Sequence, residues 1–245
     1  MAKQRGLIHF VGTLDGVNLY LRKGVPVARK AGGGFTRNSI KKSPNMERVR
    51  ENNSEFGTTS SGKKLFKDGL FPFLGKSKDS VLHGKMMQLF IKIKDCDTFS
   101  ERGQRNISLG IESVEGQKLL EEFDFTNLTM PFSTGFFDPL SATFSVVNFN
   151  TKNLKFPKGA SHLKLQLGVL AIDFETRTGP LFVSAPLLIA KGNSVETFSL
   201  AVDFPEFYSG TRIAILSYQY VQELNSEFYD LKDKIAYGLK VLKVY

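Results

Sequence analysis

Few residues in this sequence have the type and spacing that catalysis or metal binding requires. The three histidines are His9, His83 and His162, and no two of them have the spacing of a metal-binding pair. Cys96 is the single cysteine, so the sequence offers neither an intramolecular disulfide nor a cysteine-based metal site. We therefore expect a buried, inert thiol at Cys96 and no bound metal.

Short catalytic motifs are also missing from the sequence. The glycine run at residues 32–34 is not followed by Lys-Ser or Lys-Thr, as a phosphate-binding loop would require, so we interpret it as a hinge. The neighbouring carboxylates Glu121 and Glu122 would point to opposite faces of a strand and would not share a site. These patterns predict a protein that is not an enzyme and has no cofactor.

The composition is that of a globular protein with an aromatic core. The chain has 245 residues, 41% of them hydrophobic, with 22 phenylalanines and no tryptophan, which suits a core better than a sugar-stacking surface. The apolar run after Lys3 and Arg5 lasts about five residues, which is too short for the core of a signal peptide. No apolar run approaches the roughly 20 residues needed to span a bilayer. We expect a protein without a membrane span, located in the cytoplasm or in an assembled particle.

Charge is unevenly distributed along the chain. Residues 1–94 hold 19 Lys or Arg and six Asp or Glu, whereas residues 95–245 hold 14 and 18, so the two parts carry +13 and −4. A basic front half can bind phosphate groups or the acidic back half of another copy, or it can simply keep the protein in solution. The basic residues are dispersed among apolar ones, which does not favour an unstructured polycationic tail.

Residues 1–57 are predicted to form a basic arm with short strands and a first helix. Apolar residues alternate in segments 7–11 and 17–22, and Asp15-Gly16 between them is typical of a turn. Ser43-Pro44 predicts a helix start, and the helix is expected to end at Gly57. Because this segment has few apolar residues, we expect it to depend on a larger surface for its stability.

Residues 58–106 are predicted to be a helical region that begins at 58–62 with a small polar linker, or with a break before a second helical piece. Leu82, Met86, Leu89 and Ile93 have the spacing of one helix face, and Asp79-Ser80 predicts the start of that helix.

From residue 107 the apolar pattern becomes alternating. It predicts an antiparallel β-sandwich over 107–245, jelly-roll or Ig-like, and thus an α+β protein. One helical interruption is expected at 226–233. The predicted strands cover residues 107–111, 119–126, 142–148, 162–174, 181–190, 197–204, 211–222 and 236–244.

The front half resembles a family of uncharacterised bacterial proteins of similar length. The similarity rests on Met1-Ala2-Lys3-Gln4, on Ala28-Arg29-Lys30 with Gly32-Gly33, on 48–52 and on Ser54-Glu55-Phe56-Gly57. It is weak in the strand-rich part of the chain. The resemblance implies no activity and no catalytic residues, but it implies that the arm and first helix form a unit distinct from the body.

Two functions are compatible with these patterns. The first is a self-assembling structural protein, such as a filament, shell or phage-like particle subunit, whose arm contacts other copies by adding to a sheet edge. The alternative is an accessory protein that binds nucleic acid without sequence specificity. A ligand-binding β-sandwich is a third possibility. The residues predicted to make the assembly or polyanion contacts are Arg5, Tyr20, Arg22, Arg29, Lys30, Arg37, Arg48, Arg50, Glu51 and Phe56.

Overall fold

A computed structural model of the protein divides the chain into two compact units, Met1–Arg50 and Glu51–Tyr245. The structure describes residues 2–6, 8–32, 36–75, 81–126, 128–131, 135–150, 152, 154–193, 197–205, 208, 210–231 and 236–245. Leu7, Gly33, Gly34 and the predicted helix start at Asp79-Ser80 lie outside these ranges. Each unit is described below by itself.

The N-terminal unit is a small antiparallel sheet followed by short helical segments. Its strands are β1 (Ala2–Lys3), β2 (Gly12–Leu14), β3 (Val17–Arg22) and β4 (Val25–Lys30). The predicted hairpin is present, but its first strand is β2, and residues 8–11 form no strand. Asp15 and Gly16, both with positive φ, form the turn across which Leu14 pairs with Val17. Helix α1 (Arg37–Lys42) and a 3-10 turn (Pro44–Met46) follow the sheet.

The longest helix, α2 (Glu47–Gly69), contains the division between the two units. The helix start predicted at Ser43-Pro44 corresponds to the 3-10 turn just before α2. The predicted end at Gly57 and the predicted linker at 58–62 are wrong, since the helix continues through both. Gly57 has no atom within 4 Å of where a Cβ would lie, so it sits in the exposed helix without a packing role.

The other helices of the larger unit are α3 (Phe71–Leu74), α4 (Leu82–Asp95), α5 (Ile107–Glu112) and α6 (Val114–Glu121). The predicted apolar stripe on α4 is confirmed, since Leu82, Met86, Leu89 and Ile93 are all buried. The strands predicted at 107–111 and 119–126 are wrong. Asn106 and Ser113 instead cap α5 and α6, each accepting a hydrogen bond from a backbone N–H in the first turn.

Two antiparallel sheets form the rest of the larger unit. The central sheet has the order β12-β11-β7-β8, with β13 also paired to β11 and β9 to β7. Its strands are β7 (His162–Ile172), β8 (Leu181–Val183), β9 (Leu187–Ala190), β11 (Thr211–Leu224), β12 (Glu227–Asp230) and β13 (Tyr237–Val244). The second sheet has the order β10-β6-β5, from β5 (Gly135–Asp138), β6 (Thr143–Val147) and β10 (Thr197–Ala201).

The central sheet lies between two hydrophobic cores because both of its faces are apolar. Leu170 and Ile172 of β7 pack with helical residues such as Phe66, Phe90 and Ile93 in the first core. The second core joins the opposite face of the central sheet to the smaller sheet. Its strand members include Leu163, Leu165, Leu167, Leu216, Tyr218, Phe144, Val146, Phe198 and Leu200.

These elements make the protein α+β with antiparallel β-sheets, as predicted. The helix predicted at 226–233 is wrong, because Glu227–Asp230 forms β12 and pairs with β11 across a turn at Asn225-Ser226, both with positive φ. Strand β5 was not predicted. Within the described ranges, no helix combines the length and the apolar character needed to cross a bilayer.

Candidate functional site

The N-terminal sheet has two faces of different chemistry, which follow from its register. Val17, Leu19 and Leu21 of β3 lie opposite Lys30, Ala28 and Pro26 of β4, and residues directly opposite each other share a face. Leu14 of β2 lies opposite Val17 and joins the same side. We call this side, defined by Leu14, Val17, Leu19, Leu21, Pro26, Ala28 and Lys30, the apolar face.

The opposite side of the sheet is basic. Tyr20 and Arg22 of β3 lie opposite Val27 and Val25, while Arg29 lies opposite Asn18. The guanidinium carbon of Arg29 is 5.7 Å from the centre of the Tyr20 ring, a cation–π distance. Lys3 of β1 lies opposite Val27 and adds a third cation. We call this side, defined by Lys3, Tyr20, Arg22 and Arg29, the basic face.

Little of the N-terminal unit is buried. Among its described residues only Val27 is buried, whereas Leu14 is 71% exposed and Leu21 is 56% exposed. The exposed large apolar residues that the structure describes in this unit are Ile8, Phe10, Val11, Leu14, Val17, Leu21 and Val25. A sheet with this exposure on its apolar face has the composition of a contact surface for another molecule.

The net charge of the protein also resides in the N-terminal unit. Residues 1–50 hold 11 Lys or Arg and two Asp or Glu, a net charge of +9, whereas residues 51–245 hold 22 of each sign. The unit that exposes the apolar face therefore also accounts for the whole formal net charge of the chain.

The structure brings some of the predicted contact residues together and separates others. Tyr20, Arg22 and Arg29 share the basic face, and Lys30 lies on the apolar face. Arg5, Arg37 and Arg48 are exposed at other positions of the N-terminal unit. Arg50 instead donates hydrogen bonds of 2.9 Å to the carbonyls of Ile40 and Ser43 at the end of α1, so it stabilises that helix end.

Glu51 and Phe56 belong to the larger unit. Glu51 forms an ion pair with Arg102 at 3.3 Å, and Phe56 is exposed on α2. The strands of the N-terminal sheet belong to the other compact unit.

A buried ion cluster in the larger unit was not predicted from the sequence. The Glu55 carboxylate accepts hydrogen bonds from Arg105 at 2.8 and 2.9 Å and from the Gly103 N–H at 2.8 Å. Lys94 Nζ lies 2.6 Å from Glu55 and 2.6 Å from Asp95. The Arg105 hydrogen bonds, followed by those from Lys94 and Gly103, overcome burial and lower the Glu55 pKa to about 2. A carboxylate so fully bonded stays ionised and holds elements together, which is not the state of a general acid or base.

Asp97 lies beside this cluster and has a similar structural role. Burial opposes its ionisation, but its oxygens accept hydrogen bonds from the N–H groups of Ser100, Asn106 and Phe99, and the net effect is a lowered pKa. These bonds order the segment between α4 and α5.

Lys63 and His83 form a second polar contact inside the helical layer. Lys63 is buried on α2, and its Nζ lies 3.3 Å from His83 Nδ1. Burial, then the nearby charge of Lys67, lowers the Lys63 pKa. The Thr59 hydroxyl, one turn earlier on α2, is buried without a hydrogen-bond partner among the described residues.

The single thiol is half-buried and weakly bonded. Cys96 Sγ lies 3.3 Å from the Lys92 carbonyl, and burial raises the pKa of the thiol, so it stays protonated at neutral pH.

A cavity of about 400 Å³ lies at the end of the central sheet, near α5 and α6. Asp173, at its wall, accepts hydrogen bonds from the N–H groups of Glu175 and Thr176, so its carboxylate closes a turn. The remaining lining residues are Ser108, Ile111, Glu112, Gln117, Ile172, Phe174, Gly210, Thr211 and Tyr245. In the part of the chain that the structure describes, no three His, Cys, Asp or Glu residues lie together as metal ligands would.

The N-terminal sheet is thus the described surface whose chemistry points most directly to a partner. Its two faces were hidden from sequence analysis because the assignment of β2 and the β3–β4 register decide which side chains share a face. The resemblance to an uncharacterised bacterial family stays a prediction. Comparison with protein-family profiles, with curated proteins and with solved structures gives no significant match.

Proposed function

We propose that the protein is a non-enzymatic, self-assembling structural subunit whose N-terminal unit acts as an arm that binds other copies of the chain. A filament, a shell and a phage-like particle all fit this function. The observation that carries the proposal is the exposed apolar face of the N-terminal sheet, centred on Leu14, Val17 and Leu21.

The energetic argument starts from the cost of leaving such a face in water. Full burial of one Leu or Val side chain contributes about 1.5–3 kcal/mol. Leu14, Val17 and Leu21 are 71%, 38% and 56% exposed, so covering what remains exposed would contribute about 2.5–5 kcal/mol. Small sheets without a covered face are marginally stable in water. A partner that covers this face would therefore stabilise the N-terminal unit and the assembly at the same time.

The size of the face favours repeated contacts over a single tight dimer. The four strands have two, three, six and six residues, so a strand spacing of about 4.8 Å and a rise of about 3.4 Å per residue give a face of roughly 280 Å². A stable binary interface buries about 800 Å² on each partner. A single contact through the apolar face would bind weakly. Many such contacts in a polymer, each enlarged by the exposed residues 8–11, would stabilise the assembly.

Charge supports the same arrangement. An arm with a net charge of +9 would be attracted to acidic surfaces of a neighbour, which raises the association rate and helps to set the register. The proposal includes a jelly-roll or Ig-like sandwich as the body that the arm would bind. The shared core of the two sheets in the larger unit supports a sandwich. The expected location is the cytoplasm or an assembled particle.

Sedimentation velocity of the full chain over a range of concentrations tests this function. The variant Leu14→Thr/Leu21→Thr keeps β-forming residues but removes two apolar side chains, and Val183→Thr on β8 is the matched control. We expect concentration-dependent assembly, weakened about tenfold or more in the double variant and unchanged in the control. A wild-type chain that stays monomeric at every soluble concentration, or a double variant that assembles normally, would reject the proposal.

Nucleic-acid binding without sequence specificity is the second candidate, and the basic face favours it. Lys3, Arg22 and Arg29 lie on one side of the sheet with Tyr20, which offers phosphate contacts and one aromatic ring. Binding of a fluorescent single-stranded DNA should then fall steeply with salt and should weaken in Arg22→Glu/Arg29→Glu. Weak binding at low ionic strength would exclude this function.

A further inference from the structure

The β11–β12 hairpin extends beyond the body of the central sheet. The pairing of β11 with β7 ends at Val221 opposite His162, whereas β11 continues to Leu224 and pairs there with β12. Every residue from 223 to 230 is exposed. Among the described residues β12 is also an edge strand, with β11 as its one neighbour. An exposed edge of this kind is available for pairing with another strand.

The two faces of this hairpin differ in what they contact. Phe228 and Glu223 share one face, and both lie close to His162. The ring centres of Phe228 and His162 are 5.0 Å apart, and Glu223 Oε2 lies 3.8 Å from His162 Nδ1. That face is therefore engaged with its own body.

The other face of the hairpin points to solvent. Leu224 lies opposite Glu227, and Gln222 lies opposite Tyr229, so these four side chains share a side. Leu224 is 49% exposed and Tyr229 is 55% exposed. Glu227 is the one charged residue on this side, and no ion pair within the described ranges involves it. We call Gln222, Leu224, Glu227 and Tyr229 the hairpin face.

The hairpin face and the apolar face of the N-terminal sheet have matching chemistry. Each is a short β surface of exposed apolar side chains with one charged residue, Glu227 on the hairpin and Lys30 on the N-terminal sheet. Residues 223–230 carry three carboxylates and no cation, whereas residues 1–50 carry +9. Contact between two copies would cover both apolar surfaces and bring opposite charges together, whereas contact between two N-terminal units would bring like charges together.

We propose that the hairpin face of one copy is the surface that receives the apolar face of the N-terminal unit of a second copy, with Glu227 paired to Lys30. This inference rests on the proposed self-assembly and names its receiving surface. Because donor and acceptor are different surfaces, the contact is heterologous and repeats from copy to copy, which produces rings or filaments and not only closed dimers.

A charge exchange in the full-length chain tests the pairing. We expect Glu227→Lys and Lys30→Glu each to weaken self-association about tenfold in sedimentation velocity, because each places like charges in contact. The combined variant should return to within about threefold of wild type, since the opposite charges are restored in exchanged positions. Glu101→Lys, at an exposed position outside the hairpin, is the control for a change in net charge.

A second variant tests the apolar part of the contact. Tyr229→Ser should weaken association about tenfold, as loss of an interface aromatic does, whereas Phe99→Ser at another exposed position should not. Circular dichroism of each variant confirms that the body remains folded.

The outcomes separate this inference from the function on which it rests. If the wild-type chain does not assemble, both fall. If Leu14→Thr/Leu21→Thr weakens assembly but the Glu227 and Tyr229 variants do not, the hairpin is not the receiving surface. A combined charge-exchange variant that is no better than either single variant would also overturn the pairing, because the two charges would then act on different contacts.

Discussion

Glu55 connects helix α2 to segments that lie far away in the sequence. Its carboxylate accepts hydrogen bonds from Lys94, at the end of α4, and from Gly103 and Arg105, in the segment before α5. Since the side chain is almost fully buried, removal of its charge would leave two cations without their main partner. The cluster therefore fixes how α2 packs, although α2 has few buried apolar residues.

The Glu55 cluster makes stability depend on acid pH in a predictable direction. The Glu55 pKa is lowered from 4.5 to about 2 in the folded protein, so its stabilisation is fully present above about pH 4.5 and is lost as pH falls toward 2. A shift of this size corresponds to about 3 kcal/mol. We expect Glu55→Gln to lower the free energy of unfolding by about that amount at neutral pH, and the difference from wild type to shrink on acidification.

Urea unfolding of both proteins between about pH 7 and pH 3 measures this difference. Glu101→Gln, which removes an exposed carboxylate, is the control and should change little. A difference between Glu55→Gln and wild type that is constant over this pH range would show that the ionised carboxylate is not the source of the stability.

At the scale of elements, α5 packs unusually close to the end of α4. A Cβ built on Gly110 of α5 would collide with the carbonyl oxygen of Ile93, and the backbone cannot move away without separating the two helices. We expect Gly110→Ala to destabilise the protein by about 2 kcal/mol through this overpacking.

Gly57→Ala is the matched control, because Gly57 lies in α2 with open space around the added methyl group. There the same substitution should stabilise the protein by about 0.5–1 kcal/mol, since alanine favours a helix. Thermal unfolding of the two variants compares them directly. Equal effects at both positions would mean that helix propensity, and not the contact with Ile93, dominates at Gly110.

The elements also show where sequence patterns were sufficient. Helix α4 was predicted because Leu82, Met86, Leu89 and Ile93 all face one core, so burial and periodicity agree. Segment 107–111 was wrongly predicted as a strand because apolar and small residues alternate there over only five positions, which fits a strand as well as one helical turn. Asn106 and Ser113, which cap α5 and α6, are residue types that favour helix starts and are the sequence feature that could have indicated the two helices.

Helix α2 could not have been oriented from its apolar residues. The apolar residue Phe56 is exposed, whereas the buried positions are Glu55, Thr59, Lys63 and Phe66. This face is mostly polar, and the partners of Glu55 lie 39 and 50 residues away along the chain. Hydrophobic periodicity contains no information about such distant ion pairs, so the packing of α2 could not be predicted from the sequence.

At the scale of the whole molecule, burial and charge are divided between the two units. The larger unit contains both hydrophobic cores and equal numbers of acidic and basic residues. The N-terminal unit contributes Val27 as its one buried apolar residue within the described ranges and carries the net charge. The hydrophobic cores and the proposed association surface of the N-terminal unit therefore lie in different parts of the chain.

This division predicts the result of removing residues 2–42. The truncated chain retains the 3-10 turn at Pro44–Met46 and the whole of α2, and it retains every residue of the two cores. We expect its unfolding midpoint to lie within a few degrees of that of the full chain, because the deleted residues bury little apolar surface. It should also remain monomeric under conditions in which the full chain assembles, since the apolar face is absent.

Scanning calorimetry and sedimentation velocity on the two chains measure these properties separately. Loss of the unfolding transition would show that the N-terminal unit contributes to the stability of the larger unit. Assembly of the truncated chain would place the association in the larger unit, because the strands that bear Leu14, Leu21 and Lys30 would be gone. Only a truncated chain that is both folded and monomeric would show that the larger unit folds without residues 2–42 and that association requires them.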